Sequence, residues 1–449
     1  MAPEDTQYLD KYKTIEKEGA DPDRIIVVGV GGGGNNAVEH MFKLGVEHVS
    51  FVLVNTDRQA LLSATVPNKL LIGANTTRGR GAGNDPELAR AAAEESAADI
   101  AGLFTDDMDM VFVTAGMGGG TGTGAAPVVA RVAKERGLLT IGIVTIPFMF
   151  EGMRKIQKAI NGADELSKYV DAIMVVNNQR LVDIYPDFEF ETAFAKADDI
   201  LATAASSIAE IITRKGYINL DFNDVNTTLR NGGTAIIAVG YGEGENRVTK
   251  AINDALHSPL LKNTDVNTSK RLLFNLYYSR TAETRFKASE AKELNDFIRR
   301  VEEEVDVIWG ITYDESLGDK VKFTILASGF DVTVNDRDKI KGKPAADTAD
   351  TEVDIAQIGD YYGHDTVETI ERERETQNYI LLDPANIDDD DVINQFEKLP
   401  TFARDRRKKP VTGAAAAASA GKPAAASQSD GPKPGQQGTF EITFNPNDD

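Results

Sequence analysis

Two glycine-rich clusters in the first third of the chain each follow directly on an apolar, β-branched run. The first run, Ile25–Val30, leads into Gly29-Val-Gly-Gly-Gly-Gly-Asn-Asn36. The second run, 110–114, leads into Ala115-Gly-Met-Gly-Gly-Gly-Thr-Gly-Thr-Gly124. Short β-branched runs bounded by glycine are typical of strands buried on both faces of a parallel sheet. Each cluster therefore predicts a tight connection between a buried strand and the helix after it.

Helical and strand-like segments alternate along the rest of the first half. Helices are predicted at 36–43, 87–103 and 126–136, and further strands at 49–54, 139–146 and 172–176. Alternation at this spacing builds βαβ units, whose crossovers place helices on both faces of a parallel sheet. We therefore expect an α/β fold with a Rossmann-like parallel-sheet domain at 24–191, after a flexible N-terminal extension at 1–23.

The pattern changes after a long helical stretch at 192–215, which we expect to connect two domains over 192–216. Beyond it, strands are predicted at 234–239, 271–278 and 322–327, and helices at 246–255 and 288–305. These elements predict a smaller, mixed α+β domain at 217–333.

The last part of the chain, 334–449, has the composition of a disordered linker and tail. It is charged, then acidic, then rich in Ala, Gly and Pro, so it cannot bury enough apolar surface to offset its ordering entropy. Two islands interrupt it: 396–409 combines apolar residues with a basic run, and 439–444 alternates like a strand. Both are candidate partner-binding peptides, and the alternative is that they are sticky spots in a disordered tail.

Charge and composition exclude several classes of protein. The formal net charge of −22 argues against a general nucleic-acid binder, because contact with phosphates needs a basic surface. The absence of cysteine excludes disulfides, thiolate metal sites and thiol nucleophiles. No apolar run approaches the length of a membrane span, and no signal peptide is evident at Met1. We therefore expect an acidic, cytoplasmic protein without direct membrane insertion.

The two glycine clusters together indicate a polyphosphate ligand. Glycine lets backbone amides approach an anion, and the helix N-terminus behind each cluster favours negative charge. Neither cluster ends in the Lys-Ser/Thr of a P-loop, so a Walker-type NTPase does not fit. A dinucleotide oxidoreductase needs only one such loop and leaves the second unexplained, yet it remains an alternative.

Several motifs match one known family in order and spacing. They are the string at 27–41, Asn55-Thr56-Asp57, Gly-Gly-Gly-Thr-Gly-Thr-Gly at 118–124, and the segments 147–152 and 219–224. On these motifs the chain, over about 24–333, resembles the tubulin/FtsZ superfamily and within it the FtsZ family of bacterial cell-division GTPases. The resemblance implies a protein that binds and hydrolyses GTP, polymerises head-to-tail and forms the cytokinetic ring scaffold in the cytoplasm at mid-cell. A tubulin-like protein for cell shape or plasmid partitioning, and a structural filament without turnover, are the alternatives.

The resemblance also implies a phosphate and sugar site. Its residues would be Gly32, Gly33, Gly34, Asn35, Asn36, Asn55, Asp57, Gly118, Gly119, Gly120, Thr121, Gly122, Thr123 and Gly124. The loop Ala82, Gly83, Asn84 is similar to the one that senses the γ-phosphate, and Glu151 to the ribose-binding acid. A cation follows that acid in the family, and here either Arg154 or Lys155 would supply it.

The same resemblance implies how the base is recognised. Phe194 would stack on guanine, while Asn178 and Asp199 would pair with its edge. A carboxylate can accept from both N1–H and the 2-amino group of guanine, which favours GTP over ATP. An ordinary core role for Phe194 and a solvated helix charge for Asp199 are the alternatives.

The acidic loop at 219–224 is expected to act on another subunit. In the family it enters the nucleotide pocket of the next subunit, so Asp221 and Asp224, supported by Asn219, would position the attacking water there. Taken alone, the loop reads as a turn rich in Asn and Asp. Mg²⁺, held mainly by the phosphates and by no assigned side chain, is the expected metal, and a monovalent cation is a further candidate.

The implied partners are a second copy of the chain and the proteins of the division machinery. Residues 399–404 are similar to the short peptide by which the family binds its membrane tethers, although about 45 residues follow it here. We therefore expect membrane-tethering and regulatory division proteins to bind through the C-terminal tail.

Overall fold

The computed structural model describes residues 24–46, 48–184, 190–258, 266–301 and 304–330, together with 358, 361–362, 380–381 and 441–442. The chain divides into two compact units, Met1–Asp354 and Ile355–Asp449. The predicted N-terminal extension and the peptide at 396–409 lie outside the described residues.

Strands and helices alternate through the first half as the sequence predicts. The strands are β1 (Ile25–Val30), β2 (Val49–Asn55), β3 (Asn68–Leu71), β4 (Met110–Gly116), β5 (Leu139–Ile146) and β6 (Ala172–Asn177). The helices are α1 (Gly31–Leu44), α2 (Arg58–Ser63), α3 (Pro86–Glu95), α4 (Ala97–Ala101), α5 (Thr121–Glu135), α6 (Met153–Ser167), α7 (Gln179–Ile184) and α8 (Phe190–Thr213). The expected α/β fold with a long helix after it is thus confirmed.

These six strands form a parallel sheet whose carboxyl ends meet at one edge. Their order is β3-β2-β1-β4-β5-β6, with Val30 opposite Val54 on one side and Ala115 on the other. β1 and β5 are buried along their whole length because helices cover both faces. In such sheets, ligands bind in the crevice outside the carboxyl ends of the strands.

The second half adds strands to the same sheet. Its elements are β7 (Gly216–Ile218), α9 (Phe222–Leu229), β8 (Gly233–Gly242), α10 (Arg247–Leu256), β9 (Arg271–Tyr278), α11 (Glu290–Ile298), β10 (Asp306–Tyr313) and β11 (Val321–Ser328). The order continues from β6 as β8-β11-β9-β10-β7, and β8 joins β6 through the parallel pairs Ala172–Gly233 and Ile173–Thr234. The two predicted domains therefore share hydrogen-bonded strands as well as the long helix.

Some element boundaries differ from the sequence predictions. Two helices begin earlier than predicted because residues of the glycine clusters form their first turns. α1 begins at Gly31 instead of residue 36, and α5 begins at Thr121 instead of residue 126. The helix predicted at 87–103 is broken at Ser96, and the one predicted at 288–305 covers only Glu290–Ile298. The strand β10, which follows it, was not predicted.

Two short strands belong to the second compact unit. Ile380–Leu381 (β12) pairs antiparallel with Glu441–Ile442 (β13), which lies inside the island at 439–444. The strand-like character predicted for that island is thus present at the two residues described. Among the described helices, none combines the length and the apolarity needed to cross a membrane.

A substitution at Gly240 in β8 tests how the second half of the chain packs. An ideal Cβ at Gly240 would lie 2.2 Å from both Ala251 O and Ala255 N, so α10 can pack on β8 only in its absence. We expect Gly240→Ala to lower the free energy of unfolding by about 3 kcal/mol, as overpacking against backbone does. Urea denaturation measures this change.

The matched control is Gly102→Ala. Gly102 has an ordinary φ of −69°, and its nearest neighbour would lie 3.3 Å from the new Cβ. We expect the control to change stability by less than about 1 kcal/mol. Equal losses in the two variants would contradict this account of the α10–β8 contact.

Candidate nucleotide site

The candidate site residues of the first half follow the carboxyl ends of successive strands. Asn55 ends β2, the first glycine cluster follows β1, and the second follows β4. Glu151 lies just after β5, and Asn178 just after β6. Since these strands are parallel neighbours, the fold brings together residues that are far apart in sequence.

The first glycine cluster is a tight turn that continues as the first turn of α1. Gly31 has a φ of +72°, a conformation that side chains other than glycine rarely adopt. Gly32 and Gly33 are exposed, and an ideal Cβ on Gly32 would meet nothing within 4 Å. The N–H groups of this first helical turn have no partner within the helix and are therefore available to an anion.

The side chains of two buried asparagines stabilise this turn through hydrogen bonds. With its amide oriented to satisfy the network, Asn35 donates to Gly29 O at 2.8 Å and Gly31 O at 3.1 Å. Its oxygen accepts from the Asn55 side chain at 3.1 Å. Asn35 and Asn55 thus fix the shape of the loop, while Asn36 is exposed beside it.

The second glycine cluster packs directly on the first. An ideal Cβ on Gly31 would lie 2.7 Å from Gly122 N, and one on Gly33 would lie 3.0 Å from Gly116 Cα. Gly118 turns the chain with a φ of +97°, and its N–H donates to Thr123 Oγ1 at 2.9 Å. The N-termini of α1 and α5 therefore lie side by side.

The loop Ala82-Gly83-Asn84 lies against the second cluster. An ideal Cβ on Gly120 would be 2.9 Å from Asp85 N and 3.0 Å from Ala82 Cβ. Asn84 has a φ of +63°, and its carbonyl accepts from Lys158 Nζ at 3.1 Å. Three separate segments therefore meet at this edge of the sheet.

Asp57 has a local role in the structure. Its carboxylate caps α2 by accepting from Gln59 N at 2.8 Å and Ala60 N at 3.3 Å. The neighbouring Thr56 connects the segment to the second cluster, since its Oγ1 lies 2.7 Å from Thr121 Oγ1.

Glu151 is joined to one of the two candidate cations. Its carboxylate accepts from Phe148 N at 2.9 Å and forms an ion pair with Lys155 one helical turn later. Arg154 is exposed between them. Of the two candidate cations, Lys155 is therefore the one that contacts Glu151.

A cavity of about 380 Å³ lies beside the first cluster, between α1, α2 and α8. Gly32, Asn35, Asn36 and Asn55 line it, and Asp198 lines it from α8. Burial raises the pKa of Asp198 to about 6, because the charged carboxylate loses solvation there. Sequence reasoning missed Asp198, although its separation of four residues from Phe194 puts both on one helix face.

Asp199, the predicted base-binding acid, contacts other side chains. Its two oxygens lie 2.7 Å from His40 Nε2 and 3.6 Å from Lys196 Nζ. His40 also lines the cavity. The structure thus puts Asp198 in the cavity wall and Asp199 in a contact between α8 and α1.

Asn178 and Phe194, the other two residues predicted to bind the base, follow β6 and lie in α8. Asn178 is 5% exposed, and its Oδ1 has no hydrogen-bond partner among the described residues. Phe194 is half-buried and packs edge-on against Phe148, with ring centroids 4.8 Å apart. A buried acceptor without a partner and a half-exposed ring suit a planar ligand that carries N–H donors.

The acidic loop is folded as a helix cap. Asp221 accepts from Asn223 N at 2.7 Å and Asp224 N at 3.1 Å, while Asp224 accepts from Asp221 N at 2.8 Å. Asn219 accepts from Gly216 N at 2.7 Å. Asp221 stays exposed, and its carboxylate forms no ion pair in the described part of the chain.

The acidic loop and the cavity lie at opposite ends of α8. Asp198 is in the first half of this helix, and Asp221 follows its C-terminus at Thr213. At 1.5 Å per residue, about 22 Å of helix separates Asp198 from Thr213. The structure therefore does not bring Asp221 and Asp224 together with the other candidate residues.

The described residues contain no group of three or more His, Asp or Glu side chains able to hold a metal ion.

Comparisons with known proteins match both halves of the chain. Residues 24–186 match the GTPase domain of the Tubulin/FtsZ family, and residues 233–331 match the C-terminal domain of the FtsZ family. The cell division protein FtsZ of Porphyromonas gingivalis is 48% identical over 407 residues, covering 85% of each chain. FtsZ 1 of Thermococcus kodakarensis is 41% identical over 307 residues, covering 68% of this chain and 80% of that protein.

A solved structure supports the same assignment. The FtsZ dimer of M. jannaschii superposes with a TM-score of 0.63 at 37% identity, covering 73% of this chain and 93% of that one. Both sequence halves, the order of the motifs and the fold thus agree. The chain belongs to the FtsZ family of cell-division GTPases.

Proposed function

We propose that this chain is a GTPase that polymerises head-to-tail and hydrolyses GTP at the contact between subunits. One observation carries the proposal: the acidic loop and the glycine-lined pocket lie at opposite ends of a 24-residue helix. Phosphate loops that offer backbone N–H groups at one end and an exposed acid pair at the other end are complementary between copies. That the related M. jannaschii structure is a dimer supports an association of like chains.

The pocket would hold GTP by its phosphates and by its base. The first turns of α1 and α5 would bind the phosphates through backbone N–H groups, and Ala82–Asn84 would lie at the terminal one. Glu151 would accept from the ribose hydroxyls, and Lys155 would add positive charge beside it. Phe194 would contact the face of guanine.

Asp198 would give the pocket its preference for guanine. An ionised carboxylate can accept from N1–H and the 2-amino group together, and adenine has no such pair of donors. Asp198 lines the cavity, whereas Asp199 is paired with His40. The base-pairing role that the sequence assigned to Asp199 therefore belongs, in this proposal, to its neighbour, with Asn178 beside it.

Hydrolysis would begin when the acidic loop of one copy meets the pocket of another. Asp221 and Asp224 would orient a water molecule in line with the terminal phosphate and stabilise its developing positive charge. The backbone N–H groups of the glycine loops would stabilise the charge on the phosphate oxygens. We propose that Mg²⁺, which neutralises phosphate charge, is held by the phosphates, and that a monovalent cation is a further candidate ligand.

The assembled filament would act as the ring scaffold of division at mid-cell. Membrane-tethering and regulatory proteins would bind its C-terminal tail. The peptide at 396–409 would offer apolar anchors and a cationic flank, and the one at 439–444 would offer a strand. Because Glu441–Ile442 pairs with Ile380–Leu381 in the same chain, a partner would have to displace that contact to bind the strand.

Gly120→Ser tests the contact between the second cluster and the loop before α3. The φ of Gly120 is −79°, so serine is not strained there, but its Cβ would press on Ala82 and Asp85. We expect GTP affinity to fall at least tenfold, because the phosphate loops are pushed apart. Equilibrium binding at low protein concentration measures this, and affinity within twofold of wild type would contradict it.

Titration of Asp198 predicts a pH dependence of GTP binding. Its pKa is raised to about 6, and only the ionised form accepts from both donors of guanine. GTP affinity should therefore be constant above pH 7 and should weaken about tenfold per unit below pH 6. In Asp198→Asn, affinity should be weak at pH 7.5 and flat between pH 5 and 7.5; a wild-type slope in this variant would reject the assignment.

Asp224→Asn tests the split site. Asparagine can keep the capping hydrogen bond from Asp221 N while removing the charge, so the fold and GTP binding should be preserved. We expect GTP turnover to fall about 100-fold or more. GTPase rate against protein concentration, with light scattering in parallel, gives both readouts.

A mixing experiment separates this model from a site within one chain. Asp224→Asn offers an intact pocket, and Gly120→Ser offers an intact acidic loop. At a GTP concentration too low for Gly120→Ser to bind, neither protein alone should turn over GTP, and a mixture of the two should regain turnover. A mixture that stays inactive while the two proteins co-sediment would mean that the acids serve their own pocket.

A further inference from the structure

Three exposed arginines lie beside the phosphate loops and have no acidic partner. Arg58 begins α2, and Arg78 and Arg80 lie in the connection from β3 to α3. Arg58 N donates to Gly79 O at 3.1 Å, and an ideal Cβ on Gly79 would lie 3.7 Å from Arg58 Nε. Within the described ranges, no carboxylate is within ion-pair distance of the three guanidinium groups, which we call the arginine rim.

The arginine rim is fixed in place by backbone contacts. Asp57 and Arg80 form an antiparallel bridge, and Gly81 N donates to Thr56 O at 3.1 Å. Arg78 has a φ of +56°, which a side chain of this size adopts only when its surroundings impose it. Because Thr56 also contacts Thr121, the rim is attached to the second glycine cluster.

The acidic loop at Asp221 and Asp224 carries the opposite charge to the arginine rim. In the described part of the chain, no Lys or Arg side chain forms an ion pair with Asp221 or Asp224, which are held by backbone N–H groups alone. Moving these two carboxylates next to a triphosphate brings like charges together. In a chain with a net charge of −22, such an approach is unfavourable unless fixed cations lie at the contact.

We propose that the arginine rim is the surface that receives the Asp221–Asp224 face of a second copy of this chain. The inference rests on the proposed head-to-tail assembly and identifies which residues make the contact electrostatically favourable. The rim attracts the acidic loop and offsets its repulsion from the phosphates. It does not serve the nucleotide bound in its own chain.

The test compares neutralised and charge-conserving variants in the full chain. Arg58→Gln combined with Arg80→Gln removes two charges, and Arg58→Lys combined with Arg80→Lys keeps them. Arg299→Gln combined with Arg300→Gln, at two exposed positions after α11, removes the same charge elsewhere. For each protein, GTP affinity is measured below the assembly threshold, and the threshold concentration is measured by light scattering and sedimentation at several salt concentrations.

We expect the glutamine pair at the rim to raise the threshold about tenfold while GTP affinity stays within about twofold of wild type. The lysine pair and the Arg299/Arg300 control should stay near the wild-type threshold. Salt should raise the threshold of wild type more steeply than that of the rim variant, since fewer charges remain to be screened.

Two results would overturn this inference and leave the proposed head-to-tail assembly intact. A loss of GTP affinity that matches the loss of assembly would mean that the rim binds the nucleotide of its own chain. An unchanged threshold in the rim variant, with a clear threshold in wild type, would mean that another surface receives the acidic loop. Turnover by wild type without any concentration threshold would instead remove the proposed assembly, and this inference with it.

Discussion

Close backbone contact between the two glycine clusters is the constraint on which the nucleotide edge of this protein depends. An ideal Cβ on Gly31 would lie 2.7 Å from Gly122 N, and one on Gly33 would lie 3.0 Å from Gly116 Cα at the end of β4. Side chains at these positions would push α1 and α5 away from the sheet and from each other. Without them, the N-termini of α1 and α5 lie side by side, and the unpaired N–H groups of both are at the same edge of the sheet.

The long helix α8 connects the cavity to the acidic loop. Its first half places Ala195 and Asp198 in the wall of the cavity, and its C-terminus leads towards Asp221. It packs on α1, and Glu210 near its end pairs with Lys322 of β11. The cavity and the acidic loop are therefore attached to one helix, which fixes the separation between them.

Much of this arrangement could be predicted from sequence, because strand and helix patterns are local. The alternation of the first half, the long helix and the strand Arg271–Tyr278 follow from periodicity alone. The start of α1 at Gly31 does not follow from periodicity, because glycine has a low helix propensity. Glycine occupies the first turn of this helix because the helix packs closely on the sheet. β10 could have been predicted, since six of its eight residues are β-branched or aromatic, the types that favour strands.

Some of the site residues could likewise be predicted from the sequence, and others could not. Glycine clusters and the acidic loop stand out in the sequence, whereas the choice between Asp198 and Asp199 depends on which of two adjacent side chains faces the cavity. A helix turns 100° per residue, so an error of one position moves the carboxylate from the cavity to His40. Similarly, sequence offered Arg154 and Lys155 equally, and the pairing of Lys155 with Glu151 depends on helical spacing after Gly152.

The acidic loop needs little further ordering for the proposed division of the site between two copies. Asp221 and Asp224 satisfy each other's backbone N–H groups in a capping box, so the loop is already ordered in the single chain. Each carboxylate then has remaining lone pairs, and Asp221 presents its own to solvent. Because little conformational entropy is lost when such a loop docks, the electrostatic fit between two copies would decide whether they associate.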